Sequence, residues 1–228
     1  MASDSNMNDD SNTAAGPEQE LSYFLQSRQE ILPFVPTQCR TLLDIGCGGG
    51  AFGALVKKSF GAEVWGVDIS PVAAELARAQ LDHVVNAPFD ANASLPDRFF
   101  DVITFNDSLE HFPDPYPALA LCKHKLADNG LVVCCLPNVR YIENVRHFLV
   151  EMDWKYEDAG ILDKTHLRFF TRKSMLRTFD EAGYDVLSIT GIRPHYWSGK
   201  RIFLLRLLFD RWMTDMKYIQ YVIVARPR

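Results

Sequence analysis

Asp44 stands in an apolar run, separated by one residue from Gly46-Cys47-Gly48-Gly49-Gly50, and a second apolar run, 64–67, ends in Asp68. Glycine adopts backbone angles that other residues avoid, and it lets a ligand approach the main chain closely. Four glycines between positions 46 and 50 therefore suit a backbone-lined ligand site better than a tight turn serving only packing. Asp68 is placed to accept hydrogen bonds from both hydroxyls of a ribose, a bidentate use of a carboxylate. A helix cap or turn aspartate is the plainer reading of the same residue. Together the turn and the second carboxylate point to an adenosine-containing ligand.

Phosphate binding competes with that reading. The stretch 48–53 can be fitted to the G-x-G-x-x-G pattern of dinucleotide sites. Asp44 argues against it, because a carboxylate opening the turn repels pyrophosphate and suits an ammonium or sulfonium group. No Gly-Lys-Ser/Thr follows, which excludes a nucleoside-triphosphate loop.

These residues need a scaffold. Apolar spacing predicts an amphipathic helix over 18–32, closed by Pro33. Strands are predicted at 41–45, 63–68, 83–86, 101–106 and 131–136, with helices at 51–60, 71–81 and 116–127 between them. Ser70 and Pro71 provide an N-cap and a first helical residue. Strands separated by helices imply right-handed crossovers and a parallel sheet. Beyond it, 139–150 reads as helix, and Thr171 caps a helix that Gly183 stops. Strands at 184–190 and 219–225 close the chain. Residues 1–17, rich in Asp, Asn and Ser, read as a disordered tail, which leaves 18–228 as a single domain.

At 228 residues, with 47% hydrophobic and 23% charged residues, the composition is that of an ordinary globular chain. A net charge of −5 gives no electrostatic reason to expect nucleic-acid binding. No apolar run reaches the ~18 residues of a membrane span. Five cysteines without C-x-x-C spacing imply a reducing cytoplasm, and no metal site is expected.

The chain resembles the class I S-adenosylmethionine-dependent methyltransferases. The residues carrying the resemblance are LLDIGCGGGAFG (42–53), VWGVDIS (64–70), FFDVITFNDSLEHFPDP (99–115) and the NG-LVVCCLPN stretch (129–138). A run from Asp158 to Thr171 is similar to a bacterial type 11 and type 23 subgroup associated with surface-polysaccharide or secondary-metabolite pathways. The resemblance implies a Rossmann-like three-layer α/β/α sandwich, with a seven-stranded mixed sheet whose last strand is antiparallel. It implies S-adenosyl-L-methionine as cofactor and S-adenosyl-L-homocysteine as product. Asp44, Gly46, Cys47 and Gly48 would line the methionine moiety and sulfonium. Asp68 would hold the ribose, and Ile69 would cover the adenine. Asn106, Ser108 and Leu109 would stand beside the cofactor near the transferred methyl. The acidic residue that relatives place after the third strand is Pro88 here, so Asp90, or Phe89 with main-chain groups, takes over that contact.

The implied reaction is methyl transfer to O or N of a small molecule or glycan precursor. Such acceptors benefit from a base near neutral pKa, which points to histidine. His166 and His111 are the catalytic candidates, with loop organisation as the alternative for each. Asp107 and Glu110 serve as wall, cap or base, and Arg168 as an anion site or a loop salt bridge. Tyr23 and Arg28 are candidates for a lid, with a plain surface helix as the alternative for Arg28. Trp154, Tyr156, Phe169, Phe170, Tyr196 and Trp197 form a stacking surface or core. The stretch 200–213, apolar with interspersed arginines, packs on the sheet, on a second copy of the chain or on a membrane surface. A catalytically silent cofactor-binding protein and an NAD(P)-dependent oxidoreductase are the rival functions; a nucleic-acid or protein methyltransferase fits less well.

Overall fold

A computed structural model describes residues 27–195 and 213–228. The expected tail, Tyr23, Tyr196, Trp197 and the stretch 200–212 lie outside the described residues.

Seven strands form one sheet: β1 (Thr41–Ile45), β2 (Glu63–Asp68), β3 (His83–Asn86), β4 (Phe100–Asn106), β5 (Leu126–Pro137), β6 (Tyr184–Pro194) and β7 (Tyr218–Pro227). Their order is β3-β2-β1-β4-β5-β7-β6. β1 to β5 pair in parallel, and β7 runs antiparallel to β5 and β6. This is the mixed sheet that the family resemblance implied. The helices are α1 (Ala51–Phe60), α2 (Pro71–Arg78), α3 (Pro115–Lys125), α4 (Ile142–Arg146) and α5 (Arg172–Glu181).

Both faces of the central strands β1, β4, β5 and β7 are covered, so these read as nearly continuous apolar runs. Neighbouring residues separate to opposite faces, as strand geometry requires. Leu43, Ile45 and Phe105 pack with Leu119 and Phe179 on one side. Leu42, Val64 and Val102 pack with Val56 and Ala77 on the other. Local signals set the helix starts. Ser70 accepts from the Ala73 N–H, Asp114 accepts from the Tyr116 N–H, and Thr171 and Ser174 cap each other reciprocally.

Three elements differ from expectation. The described end of the first predicted helix is a 3₁₀ turn over Gln29–Phe34 that contains Pro33. Proline lacks the N–H an α-helical ladder needs. The Val35 N–H closes the turn on the Leu32 carbonyl at 3.1 Å instead. The helix expected over 139–150 shrinks to α4 followed by a π turn, His147–Glu151. Phe148, Leu149 and Val150 are exposed there, so no buried face holds a longer helix. β5 begins earlier than expected, at Leu126, with a register shift against β4 between Phe100 and Val102. Among the described residues no helix is long and apolar enough to cross a membrane.

Candidate active site

From β1 the chain proceeds to one edge of the sheet through β2 and β3, and from β4 to the other. In such sheets ligands bind beyond the carboxyl ends of the strands where the order reverses. That point lies between β1 and β4, and it is where Asp44 and the glycine turn emerge.

Gly46 has φ +72°, and its N–H donates to the Val67 carbonyl at 2.8 Å, tying the turn to the end of β2. A Cβ at this position would meet Ser108 Cβ at 2.6 Å, so only glycine fits between the two strand ends. Ser108 in turn donates from Oγ to the Ile45 carbonyl at 2.6 Å. The Asp68 carboxylate accepts the Gly48 N–H at 2.9 Å and the Ser70 N–H at 2.8 Å. A carboxylate offers about four acceptor positions, so capacity for ligand hydroxyls is left.

Asp44 is 2% exposed. Its Oδ1 accepts from Thr104 Oγ1 at 2.6 Å and Asn106 Nδ2 at 3.4 Å. Burial pushes its carboxyl up to about 7, against the Thr104 hydrogen bond and with help from the charge of Asp68. Asn106 Oδ1 is buried without a hydrogen-bond partner. Among the described residues no cationic side chain bonds to Asp44. A buried carboxylate and an orphaned amide oxygen side by side form a set of acceptors. Such a set fits the ammonium and sulfonium of S-adenosylmethionine and does not fit a phosphate.

The remaining predicted cofactor residues are spread around this centre. Ile69, 74% exposed, follows Asp68 at the surface. Asp90 is exposed, and its Oδ1 accepts the Asn92 N–H at 2.7 Å, organising a turn after β3. Phe89 is buried edge-on against Phe105, with centroids 6.3 Å apart. The side chains of Phe89, Leu109 and Cys47 belong to the apolar core, which leaves their main-chain groups to offer a ligand.

A second polar group follows Ser108 directly. Glu110 is 1% exposed, and neither of its carboxylate oxygens has a hydrogen-bond partner. His166 Nε2 stands 3.8 Å from Glu110 Oε1, and the rings of His166 and His111 lie 4.9 Å apart. The two sequence-predicted histidines, distant in the chain, therefore meet. The main chain brings them together: the Leu167 and Arg168 N–H groups both donate to the Glu110 carbonyl at 3.0 Å. Burial raises the Glu110 carboxyl to about 8 and lowers the His166 imidazole. The Arg168 guanidinium donates to the Pro113 carbonyl, so it staples this loop rather than facing an anion. Phe169 packs edge-on against Trp154, with centroids 5.3 Å apart, and also against His166 and Tyr156. Phe170 is core.

Gln220 carries no sequence assignment, yet it belongs to a third group at the same end of the sheet. Arg28 pairs with Asp107 and donates to Gln220 Oε1 at 3.1 Å, and Gln220 Nε2 donates to Asp107 Oδ1 at 2.6 Å. A lone polar residue inside the apolar run of β7 was the available signal for it.

The chain is similar to known methyltransferases. A family described as "methyltransferase domain" matches residues 18–189. The ubiquinone biosynthesis O-methyltransferase of Thiobacillus denitrificans is 30% identical over 69% of this chain and 69% of its own length. That of Photobacterium profundum is 27% identical over 72% of this chain and 73% of its own. In fold, the chain is similar to a SAM-dependent methyltransferase from Archaeoglobus fulgidus, with a TM-score of 0.62. That likeness covers 90% of this chain and 96% of the other, at 23% identity.

Proposed function

Because this chain belongs to the class I S-adenosylmethionine-dependent methyltransferases, we propose that it methylates a hydroxyl oxygen on a small, ring-bearing acceptor. S-adenosylmethionine supplies an electrophilic methyl on a sulfonium. Asp44 and Asn106 take the ammonium end, main-chain groups of 46–48 lie along the methionine, and Asp68 takes the ribose hydroxyls. Ile69, Phe89 and Asp90 border the adenine.

The observation that carries the choice of oxygen is the grouping of His166 with Glu110 and His111, which follow Asn106–Ser108 in the chain. A hydroxyl attacks poorly until its proton is leaving, and an in-line displacement needs the oxygen held against the methyl. In the balanced step the O–H bond breaks toward this polar group, the O–CH₃ bond forms and the S–CH₃ bond breaks. Neutral S-adenosylhomocysteine leaves. Trp154 and Phe169 beside His166 offer a surface for a planar ring. The relatives named as O-methyltransferases support the same class of acceptor. Glycan precursors and amines are the other acceptors of this reaction class.

The test is release of S-adenosylhomocysteine by the full chain against catechols, phenols, sugars and amines. Turnover on hydroxylated rings is expected. Turnover confined to amines would overturn the choice of oxygen, and cofactor binding without turnover would point to a silent binder.

A further inference from the structure

We propose that Glu110, His111 and His166 together hold a divalent first-row cation of the zinc, cobalt or manganese type. The proposal rests on the acceptor reading above and deepens it: the three groups then act through one ion rather than as separate bases.

One ligand atom from each residue lies within 4.8 Å of the others. His166 Nδ1 is 3.0 Å from the Ile161 carbonyl, and His111 Nδ1 is 3.1 Å from the Thr165 carbonyl. A carbonyl only accepts, so each Nδ1 carries a proton, and in the neutral ring each Nε2 presents a lone pair. Metal-binding histidines are oriented in this way, with the far nitrogen donating to a backbone carbonyl. His166 Nε2 stands 3.8 Å from Glu110 Oε1. That separation is too long for a shared proton in a hydrogen bond. Glu110 is 1% exposed, and both of its oxygens lack a partner. Three ligand atoms converge without a hydrogen bond among them, and buried polar atoms such as the Glu110 oxygens are seldom left so. A cation satisfies all three at once. Bonds of about 2.0–2.2 Å require the ligand atoms to close in by under ~2 Å.

Two imidazoles and one carboxylate suit first-row transition ions and leave coordination positions open. An acceptor hydroxyl bound there loses its proton to water more readily, because the ion stabilises the oxyanion. The oxygen then attacks the methyl as the S–CH₃ bond breaks.

The experiment is titration of the chelator-treated full chain with Co²⁺, followed by its visible absorption, with S-adenosylhomocysteine binding measured in parallel. The wild type should take up one equivalent of Co²⁺. Glu110→Gln, nearly isosteric, and His111→Asn, at a half-buried site, should each weaken uptake at least tenfold while S-adenosylhomocysteine affinity is kept. A wild type that binds S-adenosylhomocysteine but no Co²⁺ overturns the cation site and leaves methyl transfer standing. Uptake unchanged in both variants also overturns it. Loss of S-adenosylhomocysteine binding in the wild type would count against the methyltransferase reading itself.

Discussion

The backbone N–H of Gly48 donates to Asp68 Oδ2 at 2.9 Å, so the glycine turn after β1 and the end of β2 share one carboxylate. Asp68 thus preorganises the main chain and keeps acceptor capacity for a ribose. Asp68→Ala should weaken S-adenosylhomocysteine binding by roughly 1–3 kcal/mol, the scale for hydrogen bonds to a charged group. It should also lower the melting temperature of the ligand-free chain. Calorimetry checks the first effect and thermal unfolding the second; unchanged affinity would remove the ribose assignment.

Gly46 and Ser108 test the closeness of β1 and β4. Gly46→Ala places a methyl 2.6 Å from Ser108 Cβ on a backbone with φ +72°. The substitution should destabilise the fold by about 1–3 kcal/mol. Part of that cost should be recovered in the double variant with Ser108→Gly, which removes the clashing atom and leaves the strained φ. Denaturant unfolding of the full cycle measures the coupling. Strict additivity would contradict the packing.

Asp44 gives the ligand-free chain a pH signature. Its carboxyl titrates at about 7 when folded, through burial first. In the unfolded chain it titrates near the ordinary ~4. The folded state therefore binds the proton more tightly. Stability contributed by this group is full below about pH 4, falls as pH rises to about 7, and is flat above that. Cofactor affinity should run the other way, rising toward pH 8 as the carboxylate forms opposite a cationic ligand. Asp44→Asn should flatten both profiles. Unfolding curves and calorimetry between pH 5 and 8 read them directly.

How much of this was legible follows from the range of each interaction. The turn at Gly46–Gly50, the caps at Ser70 and Thr171, and the strand–helix alternation are written in neighbouring residues and appear where expected. The 3₁₀ turn at Pro33 and the π turn after α4 depend on which face finds packing, which periodicity cannot tell. The meeting of His111 with His166 rests on two main-chain hydrogen bonds to Glu110, and that of Arg28 with Gln220 spans nearly the whole chain. Nothing local marks such pairs. The expectation of no metal site came from cysteine spacing, which is silent about a Glu-His pair joined to a distant histidine.

Arg28 reaches three partners at the ends of separate strands: Asp107, Gln220 and the Cys135 sulfur at 3.3 Å. Arg28→Ala should destabilise by about 1–3 kcal/mol, since it strands Asp107 and Gln220 in a partly buried site. Arg28→Lys should recover little, because an ammonium lacks the planar fork that spans separate acceptors. Urea unfolding of the two variants distinguishes the fork from simple charge.

Methyl transfer to oxygen is read directly with S-adenosylmethionine labelled with ¹³C in its methyl. The full chain is incubated with a catechol and an amine of matching ring, and the product methyl is read by NMR. The label should appear as an ether methyl on the catechol. Label on nitrogen alone would contradict it.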